Sequence, residues 1–281
     1  MTIAKGTPGS PVLPLPGFDD ISEIFAALAV KAGLAVMRVY GEAFTHRTKA
    51  DHSPVCEADE AAEVIILEGL AISLPSLPVV AEEAASRGEI PKCGKSLILV
   101  DPLDGTREFL GRNGEFTVNI ALVVDGVPQV GAVYAPALGK LWFAGVHAFV
   151  CDVAPGAAMP ARTQWRKIHG RIAPRDALIA LASRSHCDAE TEAWLSRLPV
   201  SERRSAGSSL KFCALAEGVA DVYPRFSPTM EWDTAAGDAV LRAAGGTVLG
   251  CDGAPLCYGK AASHYRNSAF VAWGDCKAAI V

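Results

Sequence analysis

Four acidic residues in this sequence have the types and positions to hold divalent cations together: Glu82, Asp101, Asp104 and Asp233. The first two each follow a short apolar run, and carboxylates at the ends of strands can converge on one point from loops on a rigid scaffold. Four carboxylates packed together would raise one another's pKa values unless cations neutralised them. Oxygen ligands without histidine or thiolate favour Mg²⁺ or Mn²⁺ over zinc. The alternative is that Asp-Pro-Leu-Asp-Gly is an ordinary turn and that the glutamate is surface charge.

The surrounding hydrophobic pattern predicts the elements that position these acids. Helices are expected from Asp19 or Asp20 and over 57–70, and strands over 77–81 and 96–100. Apolar residues alternate strictly over 116–124, which predicts a half-buried strand. Asp125-Gly126 then turns this strand into a second one over 127–134, as in a β-hairpin.

The pattern changes after about residue 150. Strands and helices alternate there: a strand over 177–182, a helix over 188–198, a short strand, a helix over 208–217, a strand over 219–223, a helix over 234–244 and two final strands. The change predicts an α/β (α+β) protein with a flexible tail (1–18) and two abutting lobes. The N-terminal lobe (19–150) would hold an antiparallel sheet and the metal site. The C-terminal lobe (151–281) would hold a mixed sheet and the elements of substrate specificity.

Composition narrows the class of protein further. The chain has 281 residues and a net charge of −5, and this charge does not indicate a nucleic-acid-binding patch. No apolar run of the length of a membrane span is evident, so no integral membrane segment is expected. Eight cysteines are scattered without a CxxC pair, and we therefore expect reduced thiols in a cytoplasmic protein. Either a monomer or a homodimer fits these properties.

Three motifs, in order, resemble the signatures of one enzyme family. They are Glu82-Glu83, residues 101–109 (DPLDGTREF) and residues 231–237 (EWDTAAG). Together they resemble the inositol monophosphatase superfamily. Further stretches are similar to its CysQ-type 3'(2'),5'-bisphosphate nucleotidases, namely residues 51–55, 112–119, 183–186, 207–212 and 223–226. One departure is Cys56, where the family commonly has threonine.

The resemblance implies a layered α/β sandwich of the inositol monophosphatase and fructose-1,6-bisphosphatase type. It implies a lithium-sensitive, Mg²⁺-dependent phosphomonoesterase that hydrolyses adenosine 3',5'-bisphosphate to AMP and phosphate with a metal-activated water. A further substrate would be 3'-phosphoadenylyl sulfate. Two or three Mg²⁺ ions are expected, with Mn²⁺ able to substitute.

The resemblance also assigns roles residue by residue. Glu82, Asp101 and the Leu103 carbonyl would hold one ion, and Asp101, Asp104 and Asp233 a second. Thr106 and Asp59 resemble the pair that orients the attacking water, and Glu82 would share in catalysis. The alternative for Asp59 is a helix N-terminal charge that the helix dipole favours.

Donors for the substrate phosphate come from backbone as well as metal. Gly105 and Thr106 begin a predicted helix, so their N–H groups can bind phosphoryl oxygens. Thr234 and Ala235 are predicted to open a second helix beside Asp233. Helix N-termini and divalent ions would thus supply the positive potential that the net charge lacks.

Arg225 distinguishes between possible substrates. Inositol phosphatases carry a glutamate in this neighbourhood, whereas an arginine suits a second phosphate through bidentate donation. The alternative is an arginine that caps the surface of the second lobe.

Four other residues are candidates for binding the nucleotide, and a fifth could contact it from inside a helix. Ser183 and His186 end a predicted strand, with an ordinary polar loop as the alternative. Gly207 and Ser208 open a helix as a plain N-cap, a second anion site, or both. Lys211 lies one turn inside that helix.

Two other functions compete with the nucleotidase. The first is an inositol monophosphatase or a mixed-specificity sugar and inositol phosphatase. The second is a non-catalytic binding protein on the same fold, which the intact set of acidic residues disfavours.

Overall fold

Two β-sheets form the centre of the structure, and helices cover their faces. The computed structural model describes residues 16–41, 46–48, 54–183 and 189–279, with the backbone alone for 46–48, 54–56 and Ser183. The helices are α1 (Phe18–Gly41), α2 (Glu57–Ser73), α3 (Glu82–Ser86), α4 (Thr106–Leu110), α5 (Ala189–Leu195), α6 (Leu210–Ala216) and α7 (Glu231–Ala243). The strands are β1 (His46–Thr48), β2 (Pro54–Cys56), β3 (Val79–Ala81), β4 (Ser96–Asp104), β5 (Thr117–Val124), β6 (Val127–Ala135), β7 (Lys140–Ala144), β8 (Ala148–Asp152), β9 (Arg166–Lys167), β10 (Leu178–Ser183), β11 (Val200–Ala206), β12 (Val222–Arg225), β13 (Thr229–Met230), β14 (Thr247–Gly250), β15 (Arg266–Asn267) and β16 (Phe270–Trp273).

The larger sheet has seven strands in the order β3-β4-β5-β6-β7-β8-β9. Its first pair is parallel and the other pairs are antiparallel. The second sheet has five strands in the order β11-β10-β12-β16-β14. Its β10 runs parallel to both neighbours and its β16 antiparallel to both. This mixed, layered α/β architecture confirms the predicted fold class.

Three hydrophobic clusters fill the space between neighbouring layers of helices and sheets. The first joins α1 and α2 to one face of the larger sheet, through residues such as Phe25, Ile66 and Ile120. The second lies between the sheets and includes Phe212 of α6. The third joins Trp194 of α5 to the outer face of the five-stranded sheet. The layers therefore alternate helix, sheet, helix, sheet, helix.

Strand β5 corrects the prediction of a half-buried strand. Val118, Ile120 and Leu122 alternate as expected and face α1 and α2. The opposite face is buried too, since Ala121 and Val123 belong to the cluster between the sheets. Helices cover both faces of this sheet, so alternation here separates two buried faces instead of core and solvent.

Helix α1 has the length and composition of a membrane span, with a mean hydropathy of 1.5 over 18 residues. Glu23, Lys31 and Arg38 interrupt its apolar sequence, so it contains no unbroken apolar run of that length. The helix packs on α2 and β6, and its residues Ile21, Phe25 and Ala29 are at most 1% exposed. A buried stripe of this kind is typical of a core helix.

The connection between the predicted lobes is close. Strand β8 crosses the proposed boundary at residue 151, and β9 beyond it joins the larger sheet by pairing with β8. Helix α7, from the second half of the chain, also packs on β5 and β6. The division at residue 151 stays a prediction.

The cysteines whose side chains are described are free thiols. They lie at positions 93, 151, 213, 251, 257 and 276. The reduced state of the thiols in a cytoplasmic protein stays a prediction.

Gly131 of β6 allows α7 to approach the sheet. A Cβ at this position would lie 2.4 Å from the Ala236 carbonyl oxygen and 2.9 Å from the Ala239 Cβ. We expect Gly131→Ala to lower the free energy of unfolding by about 1–3 kcal/mol, because neither neighbour can yield without moving α7. Urea unfolding measures the change. Gly94→Ala, where a Cβ meets no atom within 4 Å, is the control, and equal stability of the two variants would contradict the close approach.

Candidate active site

A cavity of about 290 Å³ lies where α3, β4, α4, α6, β12 and α7 meet. Most of the residues predicted to act at the site line it: Glu82, Asp101, Leu103, Asp104, Gly105, Thr106, Ser208, Lys211, Arg225 and Asp233. The remaining wall includes the aromatic side chains of Phe212 and Tyr223. Residues separated by 151 positions in the sequence, from Glu82 to Asp233, thus share one cavity.

The end of β4 forms the floor of the cavity. Pairing with β5 shifts register between Asp101 and Asp104, so the chain bulges and both carboxylates can reach the cavity. Asp101 is 1% exposed, and its Oδ1 accepts a hydrogen bond of 3.1 Å from the Leu103 N–H. Gly105 then turns the chain into α4 with a φ of 92°, a conformation that favours glycine.

Thr106 begins α4, as the sequence predicted. Its hydroxyl donates to the Leu103 carbonyl over 3.4 Å. The carbonyl proposed as a metal ligand and the hydroxyl proposed to orient water are therefore neighbours.

Asp233 is the third residue of α7, and this corrects the predicted start of the helix. The helix begins at Glu231 because the Asp233 carboxylate reaches back to accept the Met230 N–H at 2.8 Å, as in one half of a capping box. Only the first four N–H groups of a helix lack an intrahelical partner. The N–H of Ala235 therefore lies inside α7 and is not available to a phosphate, contrary to the expectation.

Asp104 is held by a network that the sequence did not reveal. Its Oδ2 accepts hydrogen bonds from the Ser208 hydroxyl at 2.5 Å and from Asn119 Nδ2 at 3.4 Å. The Thr117 hydroxyl donates to Asn119 Oδ1 at 2.9 Å and lies 2.5 Å from the Ser208 hydroxyl. Ser209 accepts from Asn119 and donates to the Asp233 carbonyl. The network therefore links β5 and the loop before α6 to two of the four acids.

A signal for this network was present in the sequence. Thr117 and Asn119 are polar residues with i, i+2 spacing in an otherwise apolar strand, so they share one face of β5. Both are buried. A buried polar pair requires partners, and those partners lie in the active-site loop.

Two cationic side chains at the cavity, Lys211 and Arg225, have backbone partners. Lys211 is 4% exposed, and its Nζ donates to the carbonyls of Ala206 and Ser208 at 3.1 and 2.6 Å. Burial lowers the pKa of its ammonium group to about 8. Arg225 donates from Nε to the Ser227 carbonyl at 3.2 Å. Lys211 therefore holds the loop that carries Ser208, in addition to facing the cavity.

The electrostatics of the cavity are dominated by its carboxylates. Burial raises the pKa of Asp101 well above its ordinary range. Repulsion raises it further, from four neighbours: Glu82, Asp104, Asp233 and Asp59. Burial also raises the pKa values of Asp104 and Asp233, and the Ser208 hydrogen bond partly offsets the effect at Asp104.

This set of donors fits a hard divalent cation. The groups are carboxylate and carbonyl oxygens, which Mg²⁺ prefers, and a cation would relieve their mutual repulsion. Within the described ranges, no three acidic, histidine or cysteine side chains already surround a common point as an ion's ligands would. The carboxylates of Asp101, Asp104 and Asp233 instead accept hydrogen bonds from neighbouring protein groups.

Of the remaining predicted residues, two are absent from the cavity lining and two lie outside the described part. Asp59 is buried in α2 and acts on Asp101 electrostatically. Gly207 donates its N–H to the Glu115 carboxylate at 2.8 Å. The Ser183 side chain and His186 lie outside the described residues.

Comparisons with known proteins agree with the fold. The model of the inositol monophosphatase family matches residues 19–278. The chain is 46% identical to the 3'(2'),5'-bisphosphate nucleotidase CysQ of Escherichia coli O157:H7, covering 82% of this chain and 91% of that protein. It is 38% identical to the CysQ of Buchnera aphidicola, covering 91% and 97%.

A solved structure gives the same result. The chain superposes on CysQ from Bacteroides thetaiotaomicron, described as a bacterial member of the inositol monophosphatase family, with a TM-score of 0.75. The identity is 38%, and 92% of this chain and 98% of that chain are covered. The chain belongs to the inositol monophosphatase family, whose members are metal-dependent phosphatases that generally use Mg²⁺. The resemblance seen in the sequence is confirmed.

The raised pKa of Asp101 gives an expectation for the metal-free protein. Because the folded protein holds this proton more tightly than the unfolded chain does, its stability falls as pH rises above the ordinary carboxyl pKa of about 3.9. Asp101→Asn removes the charge and keeps the Oδ1 acceptor. In chelator at pH near 8, the variant should melt about 2–6 °C above the wild type, and the difference should shrink toward pH 4.

Thermal melts across this pH range test the expectation. Asp125→Asn, at an exposed turn where the aspartate side chain is 61% exposed, is the matched control and should leave the melting temperature unchanged. If the Asp101→Asn variant were no more stable than the wild type at any pH, the buried charge of Asp101 would not destabilise the folded protein.

Proposed function

We propose that this protein is a Mg²⁺-dependent phosphomonoesterase that hydrolyses adenosine 3',5'-bisphosphate to AMP and phosphate. The observation that carries the proposal is one cavity lined by the four acids together with Thr106, Lys211 and Arg225. The names of its relatives, CysQ 3'(2'),5'-bisphosphate nucleotidases, support the choice of substrate. Hydrolysis of the 3'-phosphate ester requires an attacking water and stabilisation of the leaving oxygen.

The proposed ion sites use the acids of the cavity. Glu82, Asp101 and the Leu103 carbonyl would hold one Mg²⁺, and Asp101, Asp104 and Asp233 a second. When bound, such a pair of ions activates water and stabilises the leaving oxygen. Mn²⁺ has similar ligand preferences and could replace Mg²⁺.

The chain itself binds and orients the reactants. Gly105 and Thr106 lie at the start of α4 and line the cavity. Their N–H groups can therefore donate hydrogen bonds to phosphoryl oxygens. The Thr106 hydroxyl would orient the attacking water, with the buried Asp59 behind it. Holding water and phosphate in this geometry reduces the entropic part of the barrier.

Arg225 is proposed to bind the second phosphate of the substrate. It lines the cavity of about 290 Å³, and guanidinium is a strong hydrogen-bond donor to phosphate. Ser183, His186, Gly207, Ser208 and Lys211 are the further proposed nucleotide-binding residues. A neutral inositol ring would leave the Arg225 charge without a partner, which ranks inositol phosphates second.

We further propose that the enzyme acts in the cytoplasm as a monomer or homodimer. The six free thiols support a reducing compartment.

The substrate assignment is tested with purified protein in Mg²⁺. We expect kcat/KM for adenosine 3',5'-bisphosphate to exceed that for inositol 1-phosphate by on the order of 100-fold, because only the former pairs with Arg225. The reverse ranking would favour the inositol monophosphatase. Asp104→Asn should fold normally and lower kcat by about 10³-fold, since it removes a charged ligand of the ion that would stabilise the leaving oxygen. Asp252→Asn, at an exposed acid, is the control, and full turnover by Asp104→Asn would overturn the ion sites.

Arg225 is tested separately through KM. Arg225→Met should raise KM for adenosine 3',5'-bisphosphate about 10–100-fold, the loss expected for a charge-assisted hydrogen bond. Hydrolysis of 3'-AMP, which lacks the second phosphate, should change little. Arg203→Met on exposed β11 is the control. Equal losses on both substrates would show that Arg225 does not bind the second phosphate.

A further inference from the structure

Helix α2 buries two carboxylates one turn apart, and the second has no role in the proposed chemistry. Asp59 and Glu63 are each 2% exposed. Residues at i and i+4 share one face of a helix, so both point into the protein from α2. A buried carboxylate is costly unless it accepts hydrogen bonds, and the partners of Glu63 show what it does.

Glu63 holds both ends of the short helix α3. Its Oε2 accepts the Glu83 N–H at 2.8 Å, and its Oε1 accepts from the Arg87 guanidinium at 3.3 Å. Glu83 is the second residue of α3, and Arg87 is the C-cap residue that directly follows the helix. The first N–H groups of a helix need an outside acceptor, and the residue before α3, Ala81, has no side chain that can supply one.

The contact fixes the residue that begins α3. The Glu83 N–H belongs to the planar peptide group between Glu82 and Glu83. Anchoring this group to α2 therefore fixes the backbone of Glu82 and the direction from which its side chain enters the cavity. Glu82 lines the cavity, whereas Glu63 is not among the lining residues.

We infer that Glu63 is a positioning residue for Glu82: by accepting the Glu83 N–H, it aims the Glu82 carboxylate at the Mg²⁺ site. The inference rests on the proposed function in taking Glu82 as a metal ligand. Partners behind a metal ligand commonly set metal affinity in this way. Glu63 acts through the length and acceptor oxygen of its side chain, and its charge is secondary.

Three variants separate these properties. Glu63→Gln keeps the length and an acceptor oxygen and removes the charge. Glu63→Asp keeps the charge and withdraws the acceptor by one carbon–carbon bond. Glu63→Leu removes the acceptor. Magnesium affinity is measured by calorimetric titration of each purified protein with Mg²⁺ alone, beside thermal melts and circular dichroism.

We expect the Mg²⁺ Kd to rise about 10–100-fold for Glu63→Asp and Glu63→Leu and to stay within about threefold for Glu63→Gln. KM for the substrate at saturating Mg²⁺ should change little in all three. Glu68→Leu, at an exposed position on the same helix, is the matched control and should bind Mg²⁺ as the wild type does.

The outcomes are distinguishable. Wild-type affinity in Glu63→Asp and Glu63→Leu would overturn the inference and leave the proposed function intact. Impaired Glu63→Gln beside normal Glu63→Asp would also overturn it, since charge would then be what matters. If Glu63→Leu fails to fold, the Mg²⁺ affinities of Glu63→Asp and Glu63→Gln are sufficient to test the inference. A wild-type protein that takes up no Mg²⁺ would overturn both the proposed function and this inference.

Discussion

Mutual repulsion among buried carboxylates is the constraint on which the rest of this structure depends. Asp101 is almost completely buried, and the charges of four other acids raise its pKa in addition to the effect of burial. Such a cluster opposes folding whenever its members are ionised and no cation is present. Such a site lowers the stability of the metal-free protein and raises the affinity for a divalent ion, because the ion binds most strongly where carboxylates are already held close together and out of water.

The surrounding elements hold the acids in place by means other than the ion. Asp104 is tied to Asn119 and Ser208, and the carbonyl of Asp233 to Ser209. Asp104 and Asn119 both belong to the larger sheet, and the bond from Ser208 joins this sheet to the loop before α6. The hydrogen-bond network that orients the acids is thus also part of what joins the layers. A change in the loop at 206–209 would therefore alter both the proposed substrate contacts and the proposed metal ligands.

Much of the fold could be predicted from the sequence because its signals are local. The β5–β6 hairpin follows from Asp125-Gly126 between two apolar runs, and α1 from its apolar repeat. The burial of both faces of β5 could not be predicted, because it depends on α7 packing from more than 100 residues away. The start of α7 was missed for a related reason. Asp233 was assigned to metal binding alone, while its carboxylate also bonds the Met230 N–H and so extends the helix backward.

Some residues of the site could be predicted and others could not, because only the local signals can be recognised in the sequence. The acids stand in short motifs with fixed spacing, so they could be picked out singly and then expected to converge. The i, i+2 spacing of Thr117 and Asn119 indicates that they share one face of β5, but the other partners of these two residues and those of Glu63 are distant in sequence. Their burial and hydrogen bonds identify them only once the chain is folded.

Diffraction from crystals grown in Mn²⁺ tests the central claim most directly, because manganese gives an anomalous signal and shares the ligand preferences of Mg²⁺. We expect two anomalous peaks in the cavity, both within bonding distance of Asp101, one also contacting Glu82 and the other Asp104 and Asp233. A cavity that shows no anomalous peak at millimolar Mn²⁺, with the four carboxylates unchanged, would contradict it.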